Sequence, residues 1–245
     1  MKNIVIIGAT SAMATEVAKL YALESANICL LGRNQEKLLS LKQDLIARGA
    51  RSAQSKTFDV TDFNSHEDLI NTLFDDLSSI DVFLLAHGSL PNQNNGQSDI
   101  KLVMKEIDIN ALSYVSLLTA IANKMEKQKS GSIVAITSVA GDRGRESNYI
   151  YGSAKGMVSI FLQGLAQRLE KSNVHVLDIK PGFVDTPMTA EFDKGFLWAQ
   201  PRDVAKIIKS RVEKKSNFSY TPWFWWLIMT IIKSIPTSLF KRMKL

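Results

Sequence analysis

The sequence predicts an α/β fold: a single domain on a doubly wound parallel sheet of about seven strands, followed by an amphipathic C-terminal tail. Three observations lead there. Short β-branched aliphatic runs alternate with stretches of helical period along most of the chain. The first of these runs ends in a glycine turn that opens a helix. The chain has 245 residues, 45% of them hydrophobic, which suits one large filled core.

Taken in order, Asn3-Ile4-Val5-Ile6-Ile7 has the unbroken aliphatic character of a strand buried on both faces. Gly8 to Ser11 is a turn, and Ala12 to Leu23 spaces Met13, Val17, Leu20 and Tyr21 at helical steps. Strand, tight turn and helix make a Rossmann-type start, in which the helix N-terminus points free N–H groups at a pyrophosphate. Asn27 to Leu31 is a second strand, ending in Gly32-Arg33-Asn34. An acid at this strand end accepts the ribose 2′-hydroxyl of NAD, whereas an arginine accommodates a 2′-phosphate. Arg33 with no acid beside it therefore predicts NADP(H) over NAD(H).

Gln35 to Arg48 reads as a helix stopped by Gly49. A short strand ends at Phe58-Asp59-Val60, where Asp59 either accepts from an adenine amino group or caps the helix from Phe63 to Leu77. Asp81 to Ala86 is a strand followed by His87-Gly88, and the Asn/Gln-rich Ser89 to Ser98 is a loop. A long helix, Ile107 to Met125, carries Asn110 near its start. The strand Gly131 to Thr137 leads to Ser138, and Tyr149 to Glu170 is the next helix. Val174 to Ile179 is a strand running into Lys180-Pro181-Gly182-Phe183-Val184-Asp185-Thr186. A helix from Pro201 to Lys215 and a last strand from Asn217 to Thr221 complete the body.

The chemistry concentrates between Ser138 and Lys155. Tyr151 and Lys155, four apart on a helix, share a face. A neighbouring cation favours the phenolate, so Lys155 is expected to lower the Tyr151 pKa and make it a general acid near neutral pH. Ser138 stands at a strand end, where ligands bind in open α/β sheets, with a hydroxyl for a substrate carbonyl. The three histidines have no metal-ligand spacing, so no metal is expected. The single Cys29 excludes an internal disulfide and suits a reducing, cytoplasmic compartment. No run reaches the ~20 apolar residues of a membrane span.

In combination these residues resemble the short-chain dehydrogenase/reductase family over Asn3 to about Thr221. The likeness rests on Gly8, Asp59-Val60, Asn110, Ser138, Tyr151 with Lys155, and Pro181-Gly182 with Thr186. It implies a catalytic set of Asn110, Ser138, Tyr151 and Lys155: Tyr151 as acid/base, Lys155 on the nicotinamide ribose, Ser138 on the carbonyl, and Asn110 anchoring a relay water. It implies a dinucleotide site of Gly8, Thr10, Ser11, Ala12, Met13, Arg33, Asp59, Val60, Ala86, Gly88, Tyr151, Lys155, Pro181, Gly182, Val184 and Thr186, with Thr186 on the carboxamide, and a dimer or tetramer. Two departures stand out. Ala12 and Ala14 occupy positions of the family's further glycines, and Ala86-His87-Gly88 replaces its Asn-Ala-Gly.

Within the family, the Ala140-Gly141-Asp142-Arg143 loop and the ending from Tyr220 are similar to the ketoreductases of decaprenylphosphoryl-ribose 2′-epimerisation. That likeness implies a keto-sugar on a polyprenyl-phosphate carrier as substrate, with a separate flavin-dependent oxidase as partner. A hydroxysteroid, retinoid or fatty-acyl ketone reductase is the alternative enzyme. A silent dinucleotide sensor is the alternative of another class.

The formal charge of +6 is uneven: from Lys206 onward nine Lys or Arg face one Glu. In residues 222–245 four of these cations stand beside Trp223, Trp225, Trp226 and a run of aliphatics. Tryptophan and basic residues on one segment suit a helix lying at the inner membrane surface. A helix covering the core or a second subunit is the other reading. On the membrane reading, residues 1–221 fold without the tail.

Overall fold

The computed structural model describes residues 1–243. Seven strands form one parallel sheet: β1 (Asn3–Ile7), β2 (Asn27–Gly32), β3 (Ser52–Thr57), β4 (Val82–Leu85), β5 (Ser132–Ile136), β6 (His175–Pro181) and β7 (Phe218–Thr221). Their order is β3-β2-β1-β4-β5-β6-β7. The winding reverses between β1 and β4, so a crevice opens over their carboxyl ends.

Helices cover both faces, and the strand residues divide accordingly. Ile4 and Ile6 of β1 pack with Val17 and Tyr21 of α1 (Ala12–Ala22), Leu41 and Leu45 of α2 (Gln35–Ala47) and their neighbours. Val5 and Ile7 turn the other way, toward Leu69 of α3 (His66–Leu77) and the helices beyond it. With both faces buried, the central strands β1, β2, β4 and β5 are largely apolar rather than alternating, whereas the edge strand β3 is polar and mostly exposed.

The helices before β5 differ from expectation. The stretch read as a loop contains α4 (Gln93–Ser98), capped by Asn92, whose side chain accepts from Asn95 N. The long helix starts earlier than Ile107. Asp99 caps α5 (Ile100–Ile107) by accepting from Lys101 N and Leu102 N. A π-turn at Asp108–Leu112 then leads into α6 (Ser113–Gln128). Asn110 sits in that π-turn, a local widening frequent at functional sites. After β5 come α7 (Tyr149–Leu169), then β6, α8 (Pro201–Glu213) and β7.

The tail forms α9 (Phe224–Ser234) and α10 (Thr237–Phe240); Lys244 and Leu245 lie outside the described residues. Among the described residues no helix is long and apolar enough to cross a membrane. One face of α9 is built into the body: Trp225 and Met229 are buried with Val139 and Tyr220. The Trp225 ring lies where a Cβ on Gly182 would stand, 1.9 Å away, so only glycine fits there. Arg143 grips the C-terminal end of α9, donating to the carbonyls of Ile232, Lys233 (3.2 Å) and Ile235 (2.7 Å), with its guanidinium 3.7 Å from the Phe240 ring centre. The opposite face leaves Trp223, Trp226, Leu227 and Ile231 exposed. The Trp run is therefore split, with Trp225 facing inward.

This packing replaces the expectation of a body indifferent to its tail. Trp225→Ala should cost about 3–5 kcal/mol, a drop in Tm on the order of 10 °C for a domain of this size. Thermal unfolding measures it, and a protein ending at Thr221 should lose more still.

Candidate active site

A cleft of about 1260 Å³ runs over the carboxyl ends of the central strands. One half is suited to a dinucleotide. Gly8 has φ +78°, and a Cβ there would meet His87 N at 2.5 Å, so the turn requires glycine. Leu31 O accepts from Gly8 N and Ala9 N, tying the turn to the end of β2. Thr10, Ser11, Ala12 and Met13 follow along the cleft wall at the N-terminus of α1. Ser11 caps that helix. Of the two replaced glycines, Ala14 is fully buried in the core while Ala12 lines the cleft.

Arg33 and Lys37 line the cleft at the end of β2. Lys37 was not singled out in the sequence, although it lies one helical turn beyond Arg33 and was visible as a second cation. The Asp59 carboxylate accepts from Thr61 N (2.9 Å) and Thr61 Oγ1 (2.8 Å). These bonds, with Arg33 nearby, hold its pKa below the ordinary range. Of its two expected roles the helix cap is not found, since Asp62 and Ser65 hold the cap positions and Asp59 instead fixes a local turn. Val60, Ala86, Gly88, Pro181, Gly182, Val184 and Thr186 also line the cleft. The glycine turn, the helix N-terminus and the two cations together fit an anionic dinucleotide.

The other half holds the polar pair. Ser138 lies just beyond β5, and its Oγ accepts from Ala140 N at 3.1 Å. Its hydroxyl lies on the Tyr151 side of the cleft and works to lower the phenol's pKa. Lys155 lies one turn along α7 from Tyr151, its Nζ donating to Ile136 O at 3.3 Å and standing 5.8 Å from the Tyr151 ring centre. The expectation that Lys155 lowers Tyr151 fails in this arrangement. Burial pushes the Tyr151 phenol up to about 12, against the Ser138 hydroxyl, and pushes Lys155 down to about 7, against Asp178. Desolvation disfavours both charges at once and is the largest influence on each.

Asn110 is fully buried and is not part of the cleft wall. Its Oδ1 accepts from Ser89 N at 3.1 Å, and its Nδ2 donates to Glu106 Oε2 at 3.0 Å. Glu106 also accepts from Ser89 Oγ at 2.5 Å. Sequence reasoning missed Glu106, although it precedes Asn110 by four residues on a helix. A Cβ on Gly88 would lie 2.8 Å from Asn110 Oδ1 and 3.5 Å from Lys155 Nζ, so the two side chains flank that glycine. His87 stacks on Tyr114, ring centres 4.0 Å apart, and pairs its Nε2 with Ser113 Oγ at 2.9 Å.

An aromatic wall closes the far end, and sequence reasoning had not assigned it. Phe183 stacks on Trp198 at 5.3 Å and meets Trp225 of α9 edge-on at 5.2 Å. Phe192 and Met188 line the same end.

A family model described as short chain dehydrogenase matches residues 2–195. The chain belongs to that family and is an oxidoreductase of its type. Among its relatives, a protein of Mycobacterium tuberculosis named as an uncharacterized oxidoreductase is 31% identical over 240 residues, spanning 98% of this chain and 96% of that one. Another so named, from Streptomyces coelicolor, is 27% identical over 243 residues, 99% and 96% of the two chains. A short-chain type dehydrogenase/reductase of Mycobacterium ulcerans superposes with a TM-score of 0.81 at 20% identity, over 95% and 96% of the chains. An actinorhodin polyketide ketoreductase variant solved with NADPH gives 0.77 at 20% identity, over 86% and 90%. These two share the fold.

The lowered Lys155 pKa has a signed consequence. Between about 7 and the ordinary lysine range near 10.4 the unfolded chain binds more protons than the folded one, so stability rises with pH through that window. Lys155→Met should flatten the rise between pH 7 and 9 by about 1 kcal/mol per unit, read by urea denaturation at each pH.

Proposed function

We propose that the protein reduces a ketone to a secondary alcohol with NADPH. The observation carrying this reading is the Ser138–Tyr151 hydroxyl pair beside buried Lys155, in the same cleft as a turn and cations fitted to a dinucleotide. A bound nicotinamide supplies the hydride. The substrate carbonyl oxygen lies between the two hydroxyls, where Ser138 donates a hydrogen bond and Tyr151 gives its proton as negative charge develops. A phenol held protonated by burial is in the correct state for that step. Lys155, poised near 7, exchanges protons at neutral pH, and the Asn110–Glu106–Ser89 network holds the backbone next to it.

Tyr151→Phe removes the proton donor alone, so turnover should fall by at least about a hundredfold while NADPH binding, followed by nucleotide fluorescence, holds. Turnover near wild type in that variant would refute the mechanism. Arg33 and Lys37 in the cleft wall support a 2′-phosphate there, and one ketoreductase of the same fold was solved with NADPH. Arg33→Ala should cut the NADPH-over-NADH ratio in kcat/KM by roughly tenfold, since a hydrogen bond to a charged group contributes about 1.5–3 kcal/mol.

For the substrate, the reading is a keto-sugar on a polyprenyl-phosphate carrier, with a flavin-dependent oxidase forming the ketone. The aromatic wall supports it: Trp198 and Phe183 lead from the cleft to Trp225, whose helix presents Trp226, Leu227 and Ile231 outward. With Lys241 and Arg242 exposed just beyond, that face suits the inner surface of an anionic membrane. Full-length protein should sediment with anionic liposomes, and Trp226→Ser with Leu227→Ser should leave it in the supernatant. Wild-type protein in the supernatant would reject the membrane reading.

A further inference from the structure

Six buried side-chain atoms lack a hydrogen-bond partner among the described residues, and they are not evenly spread. Gln93 Nε2, Arg145 Nε and Asn148 Oδ1 belong to residues that line the active-site cleft around the start of α7. Such atoms carry a desolvation cost until something pairs with them.

Their local structure explains their orientation. Asn148 occupies the cap position of α7, yet its side chain makes no capping bond. Gln93 of α4 takes over that task, its Oε1 accepting from Ile150 N at 3.2 Å, which leaves its amide nitrogen over. Gln93 is 9% exposed, so the spare donor is held rather than solvated. Arg145 makes no salt bridge among the described residues. Burial lowers its pKa, but a guanidinium remains a cation at neutral pH. The first turn of α7 carries no acid, and this 21-residue helix directs its positive dipole end at the same place. Tyr151 is three residues from Asn148.

We infer that Gln93, Arg145 and Asn148 form the polar recognition site of the substrate, and that this substrate is a phosphorylated keto-sugar. The inference rests on the reductase reading above and assigns the side chains that recognise its substrate. Arg145, the Gln93 amide and the helix N-terminus are donors only, and together they match the oxygens of a phosphate. Asn148 Oδ1 is an acceptor, and matches a sugar hydroxyl. A neutral steroid or a fatty-acyl ketone brings no anion to Arg145 and the helix N-terminus.

The test compares kcat/KM, at saturating NADPH, for a neutral small ketone, a soluble keto-sugar phosphate monoester and the same keto-sugar joined to a short prenyl phosphate. Wild type should favour the phosphorylated ketones. Arg145→Gln should lower the ratio of phosphorylated to neutral kcat/KM by about tenfold or more. Arg145→Lys, which keeps the charge but loses the fork, should fall between. Gln93→Leu should lower the ratio severalfold with the charge untouched. A ratio unchanged in these variants, or no preference in wild type, overturns the inference. Preference for the prenyl diester assigns a lipid-carried sugar, and preference for the monoester a free one. Should wild type reduce none of the three, the reductase reading fails by itself. The recognition site is then read by tryptophan quenching, to which Trp198 in the cleft wall contributes: saturable quenching by the phosphate monoester, lost in Arg145→Gln, upholds it, and none in wild type overturns it.

Discussion

The close approach of two backbones decides whether this site exists. The segment from Ser138 to Asp142 lies directly on α7, with glycine on both sides of the contact. A Cβ on Gly152 would stand 2.7 Å from Ala140 O, one on Gly156 would stand 2.9 Å from Gly141 O, and one on Gly141 would stand 2.6 Å from Gly156 N. Any side chain at these positions forces strand end and helix apart. Because they touch, the Ser138 and Tyr151 side chains meet, and Lys155 is closed off from water. The depressed lysine and raised phenol follow from that enclosure. A helix glycine costs roughly 1 kcal/mol against alanine, so two of them flanking the Tyr–Lys face trade stability for proximity.

The same segment is anchored on its far side to the chain's end. Lys180 donates to Asp142 Oδ1 at 2.6 Å, and Tyr220 donates to Asp142 Oδ2 at 2.5 Å, both in near-complete burial. Buried charges so paired add little net stability but fix geometry firmly. The next residue, Arg143, holds the end of α9. The strap that carries Ser138 is thus clamped between the catalytic helix and the tail, and Trp225 props the cleft's aromatic wall from behind. Tail, strap and catalytic helix form one packed unit, which explains why a segment rich in exposed apolar residues still contributes to the core.

Much of this was legible in the sequence, for physical reasons that also mark where legibility ends. Strands buried on both faces are unbroken aliphatic runs, so β1, β2, β4 and β5 announce themselves. The i, i+4 relation of Tyr151 and Lys155 follows from helix geometry alone. The sign of their pKa shifts does not, because it depends on burial contributed by distant segments, and desolvation reversed the expected direction for Tyr151. The region from Ser89 to Leu112 misled because its helices are short, capped by Asn92 and Asp99, and interrupted by a π-turn, features without a clean period. In the tail the aromatic run was plain, yet which tryptophan turns inward depended on Gly182, more than forty residues earlier. Glu106, Gln93 and Arg145 were overlooked because each matters through what only the fold supplies: Ser89 beside Glu106, Ile150 N beside Gln93, and the cleft wall around Arg145.

The central claim is that one cleft joins a dinucleotide to a ketone held by Ser138 and Tyr151. The most direct measurement is transfer of deuterium from NADPH dideuterated at C4 to product, followed by mass spectrometry with a soluble ketone. One deuterium on the carbinol carbon is expected with wild-type protein, and at least about a hundredfold less labelled product with Tyr151→Phe. Label transfer that persists undiminished without the Tyr151 hydroxyl, or oxidation of the nucleotide with no label in any alcohol, would contradict that claim.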